Sequence, residues 1–241
     1  MIVSHRYTVG IQDMGANYEL TNRALIEALS NTANIHGIRA GHGVTERSRH
    51  HLSWVISGWK LEVLRRPRTG EDYTVQTWSG SYEKVIANRD YQVFSSSGEL
   101  LARAASRWMC LDTERGRLLR LTPEIMDPYQ PETERAALPE AVWTDPRDLD
   151  IPAQRTLPFR ALRCMIDCNQ HVHNTAYLDM AREVLPEEVD QRHFDHLEVL
   201  YKREVKPGDT VRLEYAFLQD RHYVLIRDES DVTLHAAVIM N

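Results

Sequence analysis

Asp167-Cys168-Asn169-Gln170-His171-Val172-His173-Asn174 gathers a carboxylate, carboxamides and two imidazoles into eight consecutive residues. An imidazole changes charge near neutral pH and can move a proton or orient a carboxylate. A carboxylate can serve as base or nucleophile, and a carboxamide can hold a water or a carbonyl oxygen. A strand-like run, 159–166, precedes the stretch, and an apolar-periodic helix, 175–185, follows it, with Asn174 as its expected N-cap and Pro186 as its stop. The polar groups are thus expected in a turn between rigid elements, a favoured setting for chemistry. The backbone N–H groups and positive dipole end of a helix start lie beside them.

The elements that position this stretch have counterparts earlier in the chain. A strand is expected over 2–9, a polar turn over 10–18, and then a helix with Thr21 or Asn22 as its N-cap. Leu25, Leu29, Thr32 or Ala33, and His36 mark the inner face of that helix, and Gly37 is its expected stop. A loop rich in glycine, arginine and histidine covers 39–53, and strands follow over 54–64, 73–79, 85–94 and 100–111. After the second helix, strands are expected over 197–205, 210–217, 222–228 and 232–240. Both halves read strand, helix, meander. Residues 13–17 can be laid on 167–171, and Arg68-Thr69-Gly70-Glu71 on Lys206-Pro207-Gly208-Asp209, which puts Arg66 opposite Glu204. On that alignment the second copy has Asn169, His171 and Glu204 where the first has Gly15, Asn17 and Arg66. The proline-dense segment between the halves is expected to be a linker over the surface, 128–157, separating domains at 1–127 and 158–241. A long helix wrapped by an antiparallel meander is the hot-dog arrangement, so the expected fold is α+β, a double hot-dog.

Composition removes several function classes. The chain has 241 residues, 42% hydrophobic and 27% charged, as packed globular proteins have. A net charge of −6 argues against an extended nucleic-acid surface. No apolar run approaches the roughly 20 residues of a membrane span, and the start lacks the apolar core of a signal peptide, so the cytoplasm is expected. Three cysteines, Cys110, Cys164 and Cys168, are too few and odd in number for a disulfide framework.

With these residues in view, the chain resembles the acyl-ACP thioesterases, the plant-type family with bacterial members, over nearly its whole length. In the second half the resemblance rests on Asp167-x-Asn169-x-His171-Val172-x-Asn174-x-x-Tyr177 and on Tyr201-Lys202-Arg203-Glu204. In the first half it rests on Trp54-Val55-Ile56-Ser57-x-Trp59, Pro67-x-x-Gly70-Glu71 and Arg103-Ala104-x-Ser106-x-Trp108. The resemblance implies a double hot-dog fold, no metal and no organic cofactor. It implies hydrolysis of the thioester between a fatty acyl chain and the phosphopantetheine arm of acyl carrier protein, and a homodimer. Asp167, Asn169, His171 and Glu204 would be the catalytic residues. Plant members often carry cysteine just after that glutamate; this chain has Val205.

Each assignment has a plainer rival. Asp-x-Asn-x-His by itself is a polar turn before a helix, and Glu204 by itself is an exposed strand carboxylate paired with Lys202 or Lys206. The two elements together favour catalysis, with Glu204 activating water, Asp167 and Asn169 fixing His171 and the water, and attack by Asp167 as the competing route. Cys168 as a nucleophile needs a geometry that three-residue spacing to His171 does not set. The spacing of His171, His173, Cys164 and Cys168 fits none of the usual structural zinc patterns, and His42, His50 and His51 read as solvated loop residues. Leu25, Leu29, Trp54 and Ile56 are either core or the lining of an acyl pocket in the first half. Arg65, Arg66, Arg68, Lys202, Arg203 and Lys206 are either a solvated face or the dock for acidic carrier protein. An acyl-CoA thioesterase and a non-catalytic acyl-binding protein are the alternatives to be separated by assay.

Overall fold

The computed structural model describes residues 1–43, 51–230 and 232–241. Residues 44–50 of the expected 39–53 loop, His50 among them, lie outside the described residues. The chain forms two compact units, Met1–Ala141 and Val142–Asn241.

In the first unit, β1 (Val3–Thr8) leads through a 3-10 turn into α1 (Asn22–Arg39). Four long strands follow: β2 (Leu52–Val63), β3 (Asp72–Glu83), β4 (Ile86–Ser95) and β5 (Leu100–Asp112). The short β6 (Arg117–Leu118) folds back on β5. The strands pair antiparallel in the order β1-β3-β4-β5-β2. Thr21 caps α1 by accepting from the Ala24 N–H, a contact worth about 1 kcal/mol. Leu25, Leu29, Thr32, Ala33 and His36 all point inward, as the periodicity predicts, and the helix packs on β3 and β1. The helix runs past the expected stop at Gly37 to Arg39; Gly41, at φ +76, takes the left-handed position that glycine tolerates.

The second unit repeats the plan. β7 (Arg155–Arg160) precedes α2 (Ala176–Val184), and β8 (His196–Tyr201), β9 (Thr210–Leu218), β10 (Arg221–Asp228) and β11 (Leu234–Met240) follow. Their order is β8-β11-β10-β9-β7, again antiparallel. Each unit is a hot-dog, so the fold is an α+β double hot-dog. Equivalent pairs extend to single residues: Val3 faces Thr77 as Arg155 faces Tyr215, and Val63 faces Ala102 as Tyr201 faces Ala236.

Three expectations change. The strand leading to the polar stretch is Arg155–Arg160, not 159–166; Pro158 sits within it at the end of the sheet order, where a missing N–H is tolerated. The strand expected over 197–205 stops at Tyr201, so Glu204 lies in the loop beyond it. The proline-rich segment does not merely cross the surface. Met126, Tyr129 and Ala137 are buried in the first unit, and Leu149 packs with Leu200, Tyr223, Leu225, Ala237 and Ile239 in the second. Prolines interrupt ladders and helices but do not keep neighbouring side chains out of a core.

Candidate active site

The polar stretch forms a closed turn. The Asp167 N–H donates to the His171 carbonyl at 2.9 Å, and the Gln170 N–H returns to the Asp167 carbonyl at 3.1 Å. Gln170 takes φ +65 to close it. The Asp167 carboxylate is the organising acceptor: Oδ1 receives the Asn169 N–H at 2.8 Å and the His171 N–H at 3.4 Å, and Oδ2 receives Asn169 Nδ2 at 3.2 Å. Beyond the turn, His173 Nδ1 receives the Thr175 N–H and lies 2.8 Å from Thr175 Oγ1 at the start of α2. That histidine, not the expected Asn174, serves the helix start; Asn174 instead offers its carbonyl to Tyr201 Oη at 2.8 Å.

The turn is fastened to the loop after β8 by the Val172 N–H on the Val205 carbonyl at 2.9 Å. This brings His171 Nε2 to 3.0 Å from Glu204 Oε2, and Lys206 Nζ stands 3.7 Å from Glu204 Oε1. The His171 and Glu204 side chains are 36% and 46% exposed, so a substrate can reach them while water still screens their charges. Asp167, Asn169, His171 and Glu204 thus form one contiguous group. Asp167 holds the His171 backbone, and the ring is held by Glu204.

Two further side chains complete the surroundings. Tyr177 Oη, buried on α2, receives the Val205 N–H at 3.1 Å, and His235 Nδ1, buried on β11, lies 3.1 Å from the Glu204 carbonyl. Tyr177 stands in the motif of the second half; nothing in the sequence marks His235, an ordinary inward strand position thirty-one residues further on. Cys164 and Cys168 are free and exposed. His171 and His173 are engaged with Glu204 and Thr175, and among the described residues no three His, Cys, Asp or Glu side chains are grouped to hold a metal ion.

The first unit carries the same turn without the same chemistry. Gly15 N–H donates to the Glu19 carbonyl at 3.0 Å, Tyr18 N–H to the Gly15 carbonyl at 3.0 Å, and Tyr18 takes φ +64. Gly15, Asn17 and Glu19 therefore correspond to Asp167, Asn169 and His171, two residues on from the sequence alignment of 13–17. The second matched turn holds: Arg68 N–H meets the Glu71 carboxylate as Lys206 N–H meets that of Asp209, so Arg66 does stand opposite Glu204. Arg66 is buried and donates to the Leu20 carbonyl and Asn22 Oδ1.

The remaining residues singled out above are placed as follows. Leu25 and Leu29 are buried on α1 and Ile56 on β2. Trp54 is half-buried, packs on the cluster of Ala87, Cys110, Leu121 and Met126, and meets the Tyr129 ring edge-on at 5.8 Å. Arg65 is already answered by two carboxylates, Glu71 at 2.6 Å and Glu99 at 3.0 Å, and Arg68 reaches Glu19 at 3.4 Å. Lys202 and Arg203 are exposed beside Glu204.

The fold alone is shared with solved proteins of low sequence similarity. An acyl-ACP thioesterase from Bacteroides thetaiotaomicron superposes with a TM-score of 0.86 at 20% identity, covering 99% of this chain and 96% of that one. A 12:0-ACP thioesterase from Umbellularia californica gives 0.83 at 19% identity over 100% and 96%. Sequence comparison goes further. Residues 2–129 match the acyl-ACP thioesterase N-terminal domain model and residues 150–237 the C-terminal domain model. The chain belongs to the acyl-ACP thioesterase family. It is 29% identical over 218 residues to the chloroplastic oleoyl-acyl carrier protein thioesterase 2 of Arabidopsis thaliana, covering 85% of this chain and 59% of that protein. It is 30% identical over 216 residues to the corresponding oleoyl enzyme of Coriandrum sativum, covering 85% and 58%. It thus spans less than two thirds of the length of those plant relatives. Among the described residues no helix is long and apolar enough to cross a membrane.

Proposed function

We propose that this protein hydrolyses fatty acyl thioesters of acyl carrier protein, using Asp167, Asn169, His171 and Glu204. The observation that carries the reading is the 3.0 Å pairing of His171 Nε2 with Glu204 Oε2 beside a turn organised by Asp167. Glu204 takes a proton from water as the water oxygen bonds to the thioester carbonyl carbon. The carbonyl oxygen becomes an oxyanion, received by N–H donors at the start of α2. Collapse of the tetrahedral species breaks the C–S bond, and the proton held by Glu204 and His171 passes to the departing sulfur. The products are a fatty acid and the free pantetheine thiol. Asp167 is not the nucleophile in this scheme, because three hydrogen bonds already occupy its oxygens. The residue after Glu204 is Val205, so no thiol stands at that position.

Pantetheine is common to acyl carrier protein and coenzyme A, so the carrier is read at the surface. Exposed Lys202 and Arg203 flank Glu204 and suit an acidic carrier protein; Arg68 is a secondary contact, and Arg65 is already paired. We assign the acyl chain to the first unit, with Leu25, Leu29, Trp54 and Ile56 as its lining. We also assign a homodimer and, from three unbonded cysteines, a reducing compartment such as the cytoplasm. The test is a chain-length series of acyl carrier protein and coenzyme A thioesters with free thiol and fatty acid both measured. Carrier-dependent release is expected. Equal turnover of both carriers would make it a general thioesterase, and binding without release would overturn the hydrolase reading.

A further inference from the structure

Glu204 lies beyond the end of β8 at Tyr201, so no ladder of strand hydrogen bonds sets its position. Instead, one peptide unit is gripped at both ends. Its carbonyl, that of Glu204, is met by His235 Nδ1 at 3.1 Å, and its N–H, that of Val205, donates to Tyr177 Oη at 3.1 Å. A carbonyl only accepts, so His235 carries its proton on Nδ1. The His235 backbone carbonyl takes the N–H groups of Lys202 at 2.8 Å and Arg203 at 3.1 Å, so one residue holds three consecutive members of the loop. Both side chains are about 4% exposed, which shields these bonds from competing water.

The first unit supplies an internal control. There the Leu64 and Arg65 N–H groups meet the Leu101 carbonyl at 2.8 and 3.1 Å, and the Leu20 N–H meets the Pro67 carbonyl at 2.9 Å, the same pattern bond for bond. The positions equivalent to Tyr177, Val205 and His235 are Leu25, Pro67 and Leu101. None has a side-chain hydrogen-bonding group, and Pro67 lacks even the N–H. The hot-dog loop therefore closes without the two side-chain bonds. They occur only in the half that carries Asp167, His171 and Glu204, which points to a demand of the site and not of the fold.

We propose that Tyr177 and His235 are positioning residues that fix the 204–205 peptide and thereby hold the Glu204 carboxylate at His171; this rests on the hydrolase reading above. A displacement of about 1 Å in a catalytic group can cost on the order of 100-fold in rate. The test compares Y177F, H235L, H235N and E204Q in the full chain, alone and with E204Q as background, on one acyl carrier protein thioester. Y177F and H235L are expected to lower kcat roughly 10- to 100-fold with KM within about twofold. H235N, whose amide can still donate to the Glu204 carbonyl, is expected to recover most of that loss. In the E204Q background Y177F and H235L are expected to cost nothing further, because there is no base left to position. Y177F and H235L holding kcat within twofold while E204Q is crippled would overturn the clamp alone, as would equal losses in both backgrounds. If H235L does not fold, Y177F and H235N decide the matter by the same criteria. E204Q turning over within threefold of the parent would overturn Glu204 as the base, and the clamp with it; a parent enzyme that binds the thioester and releases no thiol would overturn the hydrolase reading itself.

Discussion

Replacing Glu204 by glutamine separates catalysis from stability, because the structure assigns very different magnitudes to the two. Gln keeps the shape of the side chain and a hydrogen bond toward His171 Nε2, but it cannot take a proton. Loss of a general base costs typically 10²- to 10⁴-fold, or about 3–5 kcal/mol of transition-state stabilisation at ~1.36 kcal/mol per decade. The ground-state value of the same contact is small. His171 and Glu204 are 36% and 46% exposed, and Lys206 is 3.7 Å away on the other oxygen, so this is a solvent-screened pair worth at most about 1 kcal/mol. For a chain of this size that is a shift of about 2–4 °C in Tm. The expected result is a kcat for thiol release reduced by at least about 100-fold, an unfolding midpoint within a few degrees of the parent, and KM little changed. Turnover by E204Q within threefold of the parent would refute the assignment of Glu204 as base. A large fall in Tm would refute the view that the pair is catalytic in role and structurally dispensable.

Three further outcomes follow from other parts of the structure. Asp167→Ala removes all three acceptor contacts of the turn, whereas Asp167→Asn keeps an amide oxygen for the Asn169 and His171 N–H groups. Asn is therefore expected to retain at least about tenfold more activity than Ala, and single turnover in labelled water should leave the Asp167 carboxylate unlabelled; equal losses, or label in Asp167, would contradict its role as turn organiser. His36 is fully buried, donates from Nε2 to the Tyr129 carbonyl at 3.1 Å and accepts Arg89 on Nδ1 at 3.0 Å; burial first, then the Arg89 charge, pushes its pKa down to about 3. Its contribution to stability is present above the unfolded value near 6.5 and is lost as pH falls toward 3, with a slope of up to about 1.4 kcal/mol per pH unit, so urea midpoints between pH 7 and 4.5 should fall less steeply for H36Q than for the parent. Charge reversal at Lys202 and Arg203 together should raise KM for the acyl carrier protein substrate at least about tenfold, less at high salt, and leave the coenzyme A thioester unaffected; equal effects on both carriers would remove these residues from the dock.

Much of this was legible in the residues, and the exceptions share a physical cause. α1 and the long strands declare themselves because their apolar spacing is local, and the pairing of Gly70 with Gly208 is visible because both turns need φ above zero. The polar turn was aligned two residues out of step because its left-handed positions are held by Tyr18 and Gln170, not by glycine. The strand expected over 197–205 takes in Glu204 because no turn residue precedes Pro207, while the actual end of β8 is set by bonds to His235, far along the chain. The Asp167, Asn169, His171 and Glu204 set could be assembled from motif types, but the division of labour within it could not. Only coordinates show that Asp167 spends one oxygen on backbone N–H groups and the other on the Asn169 amide, and that Glu204 meets the imidazole.

The burial of the proline-rich segment decides where this gene can be divided. The first family match stops at residue 129, yet the chain beyond it is still stitched to the first unit. Glu132 N–H reaches the Ser79 carbonyl, the Arg135 carbonyl takes the Trp78 indole N–H while its guanidinium lies 4.2 Å from that ring centroid, and Ala137 N–H satisfies the buried Asp90 carboxylate. A fragment ended at 129 would leave an indole and a carboxylate unanswered in its interior, a recipe for insolubility. Excision between Ala141 and Val142 severs none of these bonds, and it is there that an attempt to swap halves between relatives should be made.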